Sequence, residues 1–121
     1  MIRKKIYLIE DDPSLTLLLK TLFEIEGYQV RNPPINWSNM VGSIISEDPD
    51  LILLDVILGK FNGLDLLRKI KEIKQLRNKK VLMTSGTDLK EECIEAGADG
   101  FVMKPFIPEE LMTKIRVLTG G

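Results

Sequence analysis

The chain has 121 residues, 44% of them hydrophobic, which suits one domain with a sizeable core and is too short for two. Lys and Arg number 17 against 18 Asp and Glu, so no global charge points to nucleic acid or a membrane surface. The apolar runs are far too short for a transmembrane helix, a single cysteine excludes an internal disulfide or a cysteine-rich zinc site, and the lack of histidine excludes catalysis by an imidazole base.

The start, Met1-Ile2-Arg3-Lys4-Lys5, leads straight into an apolar run without the longer stretch of a signal peptide, so a cytoplasmic, reducing compartment is expected. Lys5–Ile9 reads as a buried strand and ends on Glu10-Asp11-Asp12. Leu15, Leu18, Leu19, Leu22 and Phe23 then recur at helical spacing and predict one stripe facing a core. Asp12 suits the N-cap of that helix, Pro13 its first turn and Gly27 its end. Tyr28–Arg31 reads as a second strand. The prolines of Asn32-Pro33-Pro34-Ile35-Asn36 exclude a helix interior, and a second helix is expected from about Ser38 to Glu47. Trp37, just before it, covers the core or meets a partner.

Leu51–Leu54 is a third strand, ending on Asp55. A loop, Leu58–Asn62, comes next, and Gly63 opens a helix to about Leu76 whose buried face is Leu66, Leu67, Ile70 and Ile73. The basic run Arg68–Lys80 reads as a solvated face, without the interleaved aromatics of a nucleic-acid site. Val81–Met83 is a fourth strand before Ser85-Gly86. A short helix around Leu89–Ala96 carries Cys93 on its apolar side. Phe101–Met103 is a fifth strand, ending on Lys104-Pro105, and a last helix from near Pro108 buries Leu111, Ile115 and Leu118. Asp65, Asp88 and Asp99 read as surface or turn acids.

Five strands alternating with five helices predict an α/β, doubly wound parallel sheet with strand order 2-1-3-4-5. Ligands bind such sheets at the carboxyl ends of the strands, near the switch point between strands one and three. Glu10, Asp11, Asp55, Ser85 and Lys104 all fall on that edge. Three carboxylates repel one another unless a cation sits among them. An all-oxygen set favours a hard ion, with Mg²⁺ first and Mn²⁺ as a substitute. A carboxylate can also act as a nucleophile and form an acyl phosphate. Asp55 as acceptor, with Mg²⁺, Ser85 and Lys104 each meeting one phosphoryl oxygen, would satisfy what phosphoryl transfer asks of a protein. With no histidine of its own, the chain could join phosphohistidine chemistry only through another protein.

Taken together, Ile9-Glu10-Asp11-Asp12, Leu53-Leu54-Asp55 with Gly63 eight residues on, Met83-Thr84-Ser85-Gly86, and Gly97-Ala98-Asp99-Gly100-Phe101 leading to Lys104-Pro105-Phe106 resemble the receiver domain of two-component response regulators. The likeness runs over essentially residues 1–121, with no output domain among them. It implies a flavodoxin-like fold and a signalling switch that promotes its own phosphorylation and dephosphorylation without being a stand-alone catalyst. By the same resemblance Asp55 is the phosphoacceptor, served by a sensor histidine kinase or histidine phosphotransfer protein. Glu10, Asp11, Asp55 and the backbone carbonyl of Ile57 would hold Mg²⁺, and Ser85 and Lys104 would meet the phosphoryl group. Phe101 matches the switch aromatic, turning as Ser85 moves and reshaping the face of the fourth helix, fifth strand and fifth helix for an effector or a second copy. The Lys104–Pro105 bond is expected to be cis. Neither nucleic acid nor membrane is implied for this domain.

Three departures bear on the partner surface: Gly59 stands where proline is common, the Ser85–Lys104 segment is short, and Asn32–Ser46 lacks the usual small-residue pattern. Apolar Ile57, with Thr87, flanks the path of a hydrolytic water and predicts a long-lived acyl phosphate. A phosphatase of the haloacid-dehalogenase-like kind would need an aspartate where Ile57 stands. A degenerate receiver acting only as an interaction module would not need the full set of Glu10, Asp11, Asp55, Ser85 and Lys104. A nucleotide site would need a phosphate-binding glycine loop that is missing.

Overall fold

The computed structural model describes residues 3–120. Its main sheet is parallel, with strands β1 (Lys5–Ile9), β2 (Gln29–Arg31), β3 (Leu51–Asp55), β4 (Lys80–Ser85) and β5 (Gly100–Met103) in the order β2-β1-β3-β4-β5. This is the doubly wound order expected from the alternation of elements. Strands buried on both faces read as unbroken apolar runs, and β3 is buried along its whole length.

Two helices, α1 (Pro13–Ile25) and α5 (Pro108–Thr119), cover one face through Leu19, Phe23, Leu111, Met112 and Ile115. The other face is covered by α2 (Met40–Glu47), α3 (Gly63–Glu72) and α4 (Lys90–Glu95), through Met40, Ile44, Leu67, Ile70 and Cys93. Cys93 is fully buried, and burial pushes its thiol up to about 11.

Local chemistry sets the helix ends. The Asp12 carboxylate accepts from the N–H groups of Ser14 and Leu15, and Pro13 stands at the first turn, so α1 starts where the cap reading places it. Gly27 has φ +95°, the left-handed conformation that lets the chain turn into β2.

The structure corrects four details. Leu18 is 63% exposed, because α1 is apolar on more than one stripe and only Leu19 and Phe23 are buried. α3 stops at Glu72, where Ile73 turns extended (φ −89°, ψ 124°), and Leu76 is buried from the turn beyond the helix. Trp37 opens a single 3₁₀ turn, Trp37–Asn39, ahead of α2. The loop after Asp55 is a small antiparallel ribbon, pairing Ile57 with Asn62 and Leu58 with Phe61 around Gly59 and Lys60. Among the described residues no helix is long and apolar enough to cross a membrane.

Candidate functional site

The carboxyl edge gathers its polar groups because each stands at or just past a strand end. Glu10 comes directly after β1, Asp55 closes β3, Ser85 closes β4 and Lys104 comes directly after β5. Register fixes their relative heights: Ile9 pairs with Leu54, Asp55 with Thr84, and Ser85 with Met103. The Lys104 N–H donates to the Ser85 carbonyl at 2.8 Å, extending that ladder by one rung, and the Lys104–Pro105 bond is cis as expected.

Lys104 is the centre of the cluster. Its Nζ donates to Asp55 Oδ2 at 2.5 Å and to Glu10 Oε1 at 2.6 Å. Both acids are buried, at 7% exposure for Glu10 and 5% for Asp55. The second oxygen of Glu10 accepts from the N–H groups of Asp11 and Asp12, at 3.0 and 3.1 Å, and Asp55 Oδ1 accepts from the Ile57 N–H at 3.1 Å. Both carboxylates are thus held at both ends, while Asp11 is exposed beside them.

Each of Glu10, Asp11 and Asp55 offers one oxygen, and the three oxygens lie within 4.8 Å of one another. One lysine against three carboxylates leaves two negative charges uncompensated. The donor set therefore fits a divalent hard cation in both charge and ligand type. The electrostatics show the same strain. Burial, with a contribution from the Asp55 charge, pushes the Glu10 carboxyl above its ordinary value despite the hydrogen bond from Lys104. Burial alone would lower Lys104, but its hydrogen bonds to Asp55 and Glu10 outweigh that and raise it.

Ser85 is fully buried, and its hydroxyl is engaged with Thr87: 3.3 Å from Oγ1, and accepting from the Thr87 N–H at 3.2 Å. Phe101 is buried with Leu54, Met83 and Cys93 in the core beneath α4. Among the described residues no hydrogen bond joins Ser85 to the carboxylates. Of the sequence-derived set, Glu10, Asp55 and Lys104 are joined by hydrogen bonds, Asp11 lies beside them with an oxygen within 4.8 Å of those of Glu10 and Asp55, and Ser85 and Phe101 stand on β4 and β5. Ile57 N–H and Gly63 are further supports of Asp55. A Cβ on Gly63 would lie 2.1 Å from the Asp55 carbonyl oxygen, so only glycine fits where α3 starts against β3. Asp99 is more than a turn acid, since it accepts from the Val81 N–H at 2.8 Å and from Lys71 at 3.3 Å, joining the starts of β4 and β5 to α3.

Comparison with known proteins agrees with this architecture. The transcriptional regulatory protein CpxR of Klebsiella pneumoniae is 37% identical over 94% of this chain and 48% of its own length. The DNA-binding response regulator MtrA of Mycolicibacterium smegmatis is 34% identical, over 94% of this chain and 50% of its own. The chain thus spans about half the length of the curated relatives it matches. Among solved structures, a CheY-like response regulator receiver domain protein from Methanospirillum hungatei superimposes with a TM-score of 0.86 at 29% identity, covering 98% of this chain and 95% of that one. Residues 6–116 match the family model of the response regulator receiver domain, and the chain belongs to that family, the receiver domains of two-component signal transduction.

Proposed function

We propose that the domain is a Mg²⁺-dependent switch in which Asp55 takes a phosphoryl group from a phosphohistidine on a partner protein. Membership of the receiver family carries phosphorylation-based signalling with a histidine kinase partner. The observation that carries the finer reading is the arrangement of Glu10, Asp11 and Asp55 around a single lysine, two charges short of neutrality.

An Asp55 carboxylate oxygen attacks phosphorus in line with the donor imidazole. The new P–O bond forms as the P–N bond breaks, and the leaving electron pair stays on the imidazole nitrogen. Glu10, Asp11, Asp55 and the Ile57 carbonyl would hold Mg²⁺, which supplies positive charge against the phosphoryl oxygens when bound. Lys104, already 2.5 Å from Asp55, exchanges that contact for one phosphoryl oxygen. Ser85 leaves Thr87 and donates to another. The space it vacates admits Phe101, and packed cores respond to such a shift by moving between discrete arrangements. Ile94, Met103 and Val117, exposed on α4, β5 and α5, would then present a changed face to an effector or a second copy.

Incubation with acetyl phosphate tests the metal requirement. Phosphorylation proceeds with Mg²⁺ and stops when a chelator removes it; equal labelling in both would contradict the assignment. Ile57 is 58% exposed at the ribbon and screens the acyl phosphate from water. The expected result is slow hydrolysis that Ile57→Asn accelerates. An unchanged half-life in that variant would remove Ile57 from the account.

A further inference from the structure

The ribbon after Asp55 is too short to be stable alone, since it pairs only two residues with two. Backbone bonds fix its base, from the Val56 N–H to the Thr84 carbonyl at 2.9 Å and from the Gly63 N–H to the Val56 carbonyl at 2.6 Å, and side chains supply the rest, Leu58 being buried in the core. One anchor is aromatic: the rings of Phe61 and Trp37 lie 4.7 Å apart between centroids and 37° apart in plane. That spacing is in the range where aromatic pairs attract beyond simple area burial. Trp37 packs in turn against the core beneath α2 and α3, and the pair walls a small hollow of about 190 Å³ together with Val41, Asn62 and Leu66.

The ribbon reaches the acidic cluster at two points. The Ile57 N–H donates to Asp55 Oδ1 at 3.1 Å, which orients the carboxylate that Lys104 holds from its other oxygen. The turn at Gly59 stands over Asp11, where an added Cβ would lie 3.9 Å from Oδ2. The ribbon therefore holds one candidate ligand, Asp55, by a hydrogen bond and passes near a second, Asp11. The ribbon's Phe61 strand is tied to the 3₁₀ turn ahead of α2 by the ring pair, while Leu58 on the other strand is buried in the core.

We propose that Trp37 and Phe61 form an aromatic clasp that sets the affinity of the acidic cluster for a divalent cation, by holding the ribbon that orients Asp55. Both are positioning residues, acting through the Ile57 N–H and not on the ion. The inference rests on the proposed Mg²⁺ site.

Calorimetric titration of the ion-free domain with Mg²⁺ tests it, using wild type, Phe61→Ala, Phe61→Tyr and Trp37→Phe. Phe61 is 43% exposed, so its truncation leaves the core intact. Loss of one such ring pair is expected to weaken Mg²⁺ binding by roughly threefold to tenfold in Phe61→Ala. Phe61→Tyr and Trp37→Phe, which keep two facing rings, should remain within about twofold of wild type. A merely structural ring pair would lower the melting temperature of Phe61→Ala without moving its Kd, and that result overturns the clasp. No Mg²⁺ binding in wild type would overturn the metal site itself and the inference with it.

Discussion

The two edges of this sheet handle charge in opposite ways. At the amino edge, each acid has its own partner. The Lys5 N–H donates to Asp50 at 2.7 Å, Glu47 meets Arg31 at 2.5 Å and Lys5 at 3.8 Å, and Asp48 pairs with Lys79. At the carboxyl edge, three carboxylates share one lysine, and the two that touch it are buried. The pairs at the amino edge lower the acids they touch: the Arg31 hydrogen bond holds Glu47 below its ordinary value, and Lys79 does the same for Asp48. At the carboxyl edge burial raises Glu10 instead. One edge matches its acids with bases, and the other gathers more acid than base, which is what the proposed cation would balance. A local conflict that the fold tolerates marks where function resides.

The contrast can be sharpened first at its structural foundation. Gly63→Ala drives a methyl group into the Asp55 carbonyl, and should cost about 3 kcal/mol or more in urea unfolding. Gly86→Ala, at the same edge with nothing within 4 Å of the added carbon, should stay within about 0.5 kcal/mol. Equal losses would mean that the Asp55 strand end does not need so close an approach.

The next effect is electrostatic. A carboxyl raised in the folded state opposes folding as it ionises. The Glu10 penalty therefore appears as pH climbs from its ordinary value of 4.5 through its folded value, and is absent in acid. Glu10→Gln should accordingly raise the urea midpoint of the ion-free domain at pH 7. Mg²⁺ at about ten times its Kd should add about 1.4 kcal/mol to wild type, and less to Glu10→Gln at the same concentration. Stabilisation of both to the same degree would remove Glu10 from the cation site.

Glu47 gives the opposite sign and the smallest effect. Its lowered carboxyl contributes stability above the ordinary value of 4.5 that is lost as pH falls through its folded value. Partial exposure limits the contribution, so Glu47→Gln should cost at most about 1 kcal/mol at pH 7 and nothing in strong acid. A larger loss at pH 7, or one that persists in acid, would show that the amino edge is more than a set of paired surface charges.

The strands and the carboxyl edge are legible in the residues because buried parallel strands are continuous apolar runs, so a polar residue just past such a run must stand at the strand's end. Helix identity is legible too, but which side of α1 is buried is only partly so. Leu15, Leu17, Leu18, Leu19, Leu22 and Phe23 crowd one helix, and only the tertiary fold decides that Leu18 faces out. The end of α3 is hidden because Ile73 and Leu76 keep an apolar rhythm past the last helical turn, although that segment returns the chain to β4. The Trp37–Phe61 contact lies beyond pattern reading, since it joins residues of a 3₁₀ turn and a two-residue strand with no shared period.

The central claim is that Asp55 is the phosphoacceptor, and intact mass measures it directly. Wild type incubated with Mg²⁺ and acetyl phosphate should gain the mass of one phosphoryl group, and Asp55→Asn should gain none. No gain in wild type, or an equal gain in Asp55→Asn, would contradict the account. If beryllofluoride with Mg²⁺ also failed to bind wild type, the domain would be a degenerate receiver that works only as an interaction module.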